Sequence, residues 1–252
     1  MTHRIHLHPL AAALVLAISA QGSLAHGSDH AGGLASQAAP AVKAPYDIVH
    51  TKITTEGNTA VFHMAVSGKA GALKPSKSGK LAGASVFSYV WPTSLDPSTV
   101  GFEPKSGILA FAVTAHPDFD DTPLFDEDGD GNPGNDGKLW HSHWVVLQPD
   151  EACGPRALKV VDIPEGSKPR VPKTWPGLPL LIDSPGWQPS FRKGTLQVRV
   201  PFDDIGAVQE ARFDGVTAGL RVNASVHAPL LCVVNVFKVA SGDLSLPGRV
   251  GR

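Results

Sequence analysis

Two groups of residues in this chain have the types and spacing that metal chemistry uses, and they lie almost end to end. The first is Asp126-Glu127-Asp128-Gly129-Asp130-Gly131-Asn132, running on through Asp136 to Gly137. Calcium needs several oxygens drawn around one ion at about 2.3–2.6 Å, with a glycine to let the backbone turn sharply among them. Asp126, Asp128 and Asp130 take alternate places before Gly131, Asn132 can add its carbonyl, and Asp136, or Asp118, Asp120 and Asp121 upstream, would have to close the shell. The second group is Trp140-His141-Ser142-His143-Trp144. Side chains alternate along a strand, so His141 and His143 project to one side; β-proteins present two imidazoles to zinc or copper in this way. A third ligand must come from a neighbouring strand, and His50, His63, His116 and His227 are the candidates. Without a metal, the first group is a solvated acidic turn and the second a pair of hydrogen-bonded core histidines.

The first half of the acidic segment resembles an EF-hand-type loop, with carboxylates at its first, third and fifth places and glycine at the sixth. Gly137 replaces the bidentate glutamate of the twelfth place and no helices are expected on either side, so the resemblance is to the free-standing Asp-rich calcium loops of extracellular proteins. His141-Ser142-His143-Trp144 is similar to the His-x-His-Trp strand of α-class carbonic anhydrases, where both histidines bind zinc. That likeness stops at four residues, and it implies ligation without carrying the activity over. His26, the residue expected to follow signal cleavage, resembles the amino-terminal histidine of copper-brace oxygenases. The Gly- and Ala-rich segment behind it suits a soluble tail better than a rigid redox centre.

These groups need strands to hold them, and the chain reads as almost all strand and turn. Residues 47–55 and 59–67, joined by Glu56-Gly57-Asn58, form a hairpin with Phe62, Met64 and Val66 on one face. Further strands are expected at 84–91, 107–116, 139–148, 157–163, 195–202, 216–226 and 231–240. That number of short strands predicts an all-β fold, an antiparallel β-sandwich with a β-barrel as the alternative. Trp140 and Trp144 occupy the face opposite the histidines while Val145 and Leu147 share the histidine side, so this is a central strand buried on both faces. Residues 164–189 carry prolines too densely for a central strand and are expected to be a long ordered loop. The hairpin resembles in outline the early strands of DOMON-like domains, exported β-sandwiches that bind haem or sugars. The resemblance covers about a tenth of the chain and implies a methionine as one axial ligand of haem; Met64, on the apolar face, suits core packing better.

Arg4 followed by an apolar run over residues 10–20 and by Ser23-Leu24-Ala25 has the form of a signal peptide, which places the mature protein in a periplasm or outside the cell. In that setting Cys153 and Cys232 are expected to form a disulfide. No stretch is long and apolar enough to span a bilayer, and Lys+Arg 22 against Asp+Glu 23 leaves no basic footprint for nucleic acid. The expected organisation is a signal peptide over residues 1–25, a flexible linker over 26–45, one β-domain over 46–240 and a loose tail over 241–252. No nucleophile elbow, His-Glu-x-x-His, P-loop or dinucleotide pattern is present, so no reaction is assigned. The function expected is binding of metal ions: structural Ca²⁺ in the Asp126 loop, and Zn²⁺ or Cu²⁺ at His141 and His143. A module for a small-molecule ligand such as haem or carbohydrate, using the exposed face of the sheet and aromatic residues such as Trp91, Trp175 and Trp187, is one alternative, and a zinc or copper metalloenzyme built on the His pair is another.

Overall fold

The computed structural model of the protein describes residues 32–75, 83–116, 131–132, 139–223 and 230–251. Of the expected calcium ligands only Asn132 is among them; Asp126, Asp128, Asp130 and Asp136, like the signal peptide, His26 and His227, lie outside the described residues.

In chain order the strands are β1 (Leu34–Ala35), β2 (Ile48–Glu56), β3 (Thr59–Val66), β4 (Ser85–Pro92), β5 (Ile108–Ala115), β6 (His141–Pro149), β7 (Leu158–Val160), β8 (Ile182–Asp183), β9 (Ser190–Arg192), β10 (Thr195–Pro201), β11 (Arg212–Phe213), β12 (Val216–Val222), β13 (Leu231–Val239) and β14 (Gly248–Arg249). A short helix α1 (Ile205–Glu210) follows β10, and Asp204 caps it by accepting a hydrogen bond from the Ala207 N–H. Gly57, at φ 60°, supplies the left-handed residue of the β2–β3 turn.

The strands form two main bodies. Five of them make an open sheet in the order β1-β2-β3-β10-β9, and six others follow β5-β4-β12-β13-β7-β6 and close when β5 pairs with β6. The barrel named as the alternative therefore forms, and the five-stranded sheet lies against its outer wall, which gives one sandwich-like layer of contact. Closure gives β5 and β6 a partner on both sides and removes the exposed edges an open sheet would carry. All pairings between these strands are antiparallel.

Alternation then divides the apolar residues between two cores. The outward side chains of β4, β5 and β6, among them Tyr89, Trp91, Phe111, Trp144 and Val146, meet Phe62, Met64, Leu196 and Val198 of the sheet. The inward side chains, such as Val86, Ala110, Ala112, Val145, Leu147 and Ala218, line the barrel. Met64 is fully buried in the first core. Trp91 is buried there too and donates its indole N–H to Thr51 Oγ1, so it stands on no exposed sheet face.

Two segments expected to lie outside the folded domain pack onto it. Leu34 and Ala35 pair with Thr51 and His50 as an edge of the sheet, and the carboxylate of Asp47 accepts from the Ala39 N–H, so part of the expected linker packs onto the domain. Near the carboxyl terminus Gly248 pairs with Phe213, and Gly251 exchanges backbone hydrogen bonds with Ile53 and Thr55. Small residues allow this close approach: a Cβ at Gly248 would fall 2.7 Å from Phe213 O. The proline-rich stretch 164–189 is ordered, as expected, and contributes β8 and the buried Leu180 and Leu181.

Candidate metal centre

His141 opens β6, and His116 stands one residue past the end of β5, its antiparallel neighbour. Thr114 lies opposite His141 and Ala112 opposite His143, so the two strands bring His116 and His143 to the same side as His141. Along β5 the inward positions run Ala110, Ala112, Thr114, His116, and along β6 they run His141, His143, Val145, Leu147. Both strands thus become polar toward the segment that joins them, which contains the acidic residues 126–136.

The three imidazoles form one buried cluster. His116, His141 and His143 are 4 %, 6 % and 1 % exposed, and each can offer a ring nitrogen within 4.8 Å of those of the other two. The nearest pair, His141 Nε2 and His116 Nε2, is 2.9 Å apart. A tetrahedral zinc ion bonded at about 2.0–2.1 Å to each nitrogen would hold its ligands roughly 3.3 Å apart, so small rotations of these rings suffice to surround an ion.

Backbone carbonyls fix which nitrogens face inward. His141 Nδ1 lies 3.2 Å from Leu139 O, and His143 Nδ1 lies 3.2 Å from Asp183 O and 3.1 Å from Ser184 Oγ. A carbonyl only accepts, so in the neutral ring Nδ1 carries the proton and Nε2 is the nitrogen that could coordinate a cation. Outer partners of this kind orient metal-binding histidines and raise their basicity. Leu139, Asp183 and Ser184 could not be found from sequence, because Asp183 and Ser184 sit in the proline-rich stretch about forty residues beyond His143 and reach it only because β8 pairs with β6.

Asp183 turns its carboxyl away from the histidines. It accepts from Thr174 Oγ1 at 2.6 Å, and burial pushes its pKa up to about 6 against the lowering effect of that hydrogen bond and one from Ser184. Its side chain, with Trp144, Trp187 and Arg170, borders a cleft of about 660 Å³ on the outer side of β6.

Of the other candidates for a third ligand, His50 and His63 face one another across β2 and β3 with ring centroids 6.1 Å apart. His63 alternates with Phe62 and Met64, so it lies on the face of the sheet turned away from the barrel. They are not part of the cluster. Cys153 and Cys232 sit at bonding distance, with Cα atoms 5.4 Å apart. No helix among the described residues is long and apolar enough to cross a membrane.

No family model matches this chain, and neither the curated proteins nor the solved structures yield a match.

Proposed function

We propose that the chain is an exported metal-binding protein whose centre is His116, His141 and His143, taking Zn²⁺ or Cu²⁺. The observation that carries this reading is the convergence of three buried imidazoles, two of which have Nδ1 committed to a backbone carbonyl. Imidazole suits both ions. Three protein ligands leave a fourth position for water or a small ligand, the arrangement of an open site. The form of residues 1–25 and the Cys153–Cys232 pair support export. Calcium at Asp126, Asp128, Asp130, Asn132 and Asp136 completes the proposal on the sequence argument, and in sequence that segment runs between His116 and His141.

A second reading has its own support. The 2.9 Å separation between His141 Nε2 and His116 Nε2 also suits an N–H···N hydrogen bond in a metal-free histidine cluster.

Titration calorimetry and thermal melting of the mature protein separate the two. One zinc or copper ion should bind tightly per chain. At a hundredfold excess over Kd it should stabilise the fold by about 2.7 kcal/mol, and a domain of this size gains roughly 2–4 °C per kcal/mol. His116→Ala, His141→Ala and His143→Ala should each abolish binding, and His50→Ala and His63→Ala should leave it intact. Unchanged affinity in the first three variants, or no binding by the wild type, returns the cluster to the hydrogen-bonded reading. Millimolar Ca²⁺ should raise the melting temperature separately, more than Mg²⁺ does, and Asp128→Ala should erase that shift; a wild-type melt that Ca²⁺ leaves unmoved removes calcium from the proposal.

A further inference from the structure

The barrel interior is not filled by its own side chains. It contains a cavity of about 90 Å³ whose wall is formed by small and aliphatic residues of β4, β5, β6, β12 and β13, with Ala112, Ala218 and Val145 among them. His116 and His143 belong to the same wall, so the cavity begins at the candidate metal centre. A void this size in a packed interior forfeits many dispersion contacts and invites an occupant. Water is a poor one here, because it needs several polar partners and the wall offers few.

One polar group in that wall stands out. Thr114, 6 % exposed, lines the cavity, and its Oγ1 has no hydrogen-bond partner among the described residues. Ser88, beside it, donates to Ala218 O at 2.9 Å and is accounted for. A buried hydroxyl left unmade costs free energy that a ligand's oxygen would recover. Its position is specific: His141 lies opposite Thr114, Thr114 opposite Ser88, Ser88 opposite Ala218 and Ala218 opposite Val236, in one continuous row around the barrel. Val236 and Leu244, which also line the cavity, are 53 % and 38 % exposed, so the chamber has an apolar mouth.

We infer that this chamber binds a short aliphatic molecule carrying a single oxygen head group, with the tail inside the barrel and the head at Thr114 beside the histidine cluster. An aliphatic cavity of about 150 Å³ admits benzene, so by proportion this one takes a tail of about four carbons. By the same proportion an aromatic ring exceeds the space, and a longer chain would have to leave by the mouth at Val236 and Leu244. The position of the head beside the metal rests on the function proposed above; the chamber itself does not.

The test uses 1-butanol as a neutral probe and butyrate as an anionic one, each titrated into the metal-free and the zinc-treated mature protein and followed by calorimetry and by methyl NMR of the barrel residues. 1-Butanol should bind at one site in the metal-free protein and shift the methyl signals of Ala112, Ala218 and Val145. Butyrate should bind better after zinc is added, because a carboxylate can occupy the fourth position of the ion. Octanoate should bind more weakly than butyrate. Thr114→Val should weaken 1-butanol by about fivefold, the worth of one hydrogen bond, and Ala218→Leu, which fills the chamber, should abolish both probes while zinc stoichiometry stays unchanged. Binding of xenon to the wild type and its loss in Ala218→Leu gives a second readout that does not depend on the head group. Zinc binding with neither probe nor xenon entering the barrel overturns the chamber and leaves the metal centre standing. Probe binding without zinc affinity keeps the chamber and overturns the centre.

Discussion

The two cores of this protein are built from opposite faces of the same strands, and they are packed differently. Between the sheet and the barrel wall, aromatic rings interlock: Phe62 and Phe111 have centroids 4.6 Å apart, Phe111 and Trp144 4.9 Å, and Phe62 and Trp91 5.7 Å. Inside the barrel the apolar side chains are mostly alanine, valine and leucine, with no aromatic ring among them, and about 90 Å³ is left open. Large rings bury much area each and fix one another's geometry, which makes the first region the scaffold. A barrel of six strands is narrower than those whose interiors side chains of ordinary size just fill, and Ala110, Ala112 and Ala218 make it roomier than closure requires.

The largest expected effect tests that division directly. Phe111→Ala in the aromatic core should cost about 3–5 kcal/mol in denaturant unfolding. Ala218→Leu, which adds more atoms than most cores accept, should cost less than the 1–3 kcal/mol typical of overpacking, because it enters existing space. Equal losses in the two variants would mean that both regions are close-packed and would end the contrast.

A smaller effect concerns the seam of the barrel. β7 meets β13 at a single register pair, Lys159 with Cys232, while β12 and β13 pair over seven positions. The Cys153–Cys232 pair stands at that thin seam, as do the ion pairs of Lys159 with Asp150 and Asp162 at 3.0 and 2.7 Å. Replacing both cysteines with serine should cost about 2–4 kcal/mol. Amide exchange should then rise first in β7 and β13, with β2, β3 and β10 remaining protected. Uniform loss of protection across both bodies would show that the barrel and sheet unfold as one unit and that the seam has no individual weakness.

The smallest effect is at the link between the regions. Asp47, at the start of β2, pairs with Lys238 of β13 at 2.5 Å, both side chains being less than a tenth exposed. Burial alone would raise the Asp47 carboxyl, but hydrogen bonds from Lys238, Ser67 and the Ala39 N–H overturn this and hold it below its usual range. A carboxyl depressed in the folded state contributes stability above the unfolded value of about 3.9 and loses it as pH falls through the folded value. Stability should therefore decline below about pH 4, and the Asp47→Asn variant should decline less steeply over the same range. Identical acid profiles for the two proteins would show that this pair does not couple sheet to barrel.

How much of this was legible before the fold is clearest at β6. Alternation alone put His141 and His143 on one face and Trp144 on the other, and the structure places them in the barrel and in the aromatic core respectively. The positions of the longer strands were equally legible, since runs of alternating or wholly apolar residues bounded by glycine and proline are local signals; the two- and three-residue strands β1, β8, β9, β11 and β14 were not. Residues 26–45 and 241–252 look like spacer by composition, yet parts of both join the sheet and β11 through backbone hydrogen bonds that any small residue can make. Their side chains carry almost no trace of it.

The sequence by itself determined the all-β class, the boundaries of the longer strands to within a few residues, two of the three clustered histidines and the two cysteines that meet. Only the tertiary structure decided which of four candidate histidines joins the pair, that β5 closes onto β6, that Asp183 O and Ser184 Oγ orient His143, and that a chamber opens at Thr114. The reason is physical. A period of two states which side of a strand a residue faces, and it is written in neighbouring residues. Which strand lies across from it depends on pairings between distant parts of the chain, whose backbone hydrogen bonds are the same for every side chain.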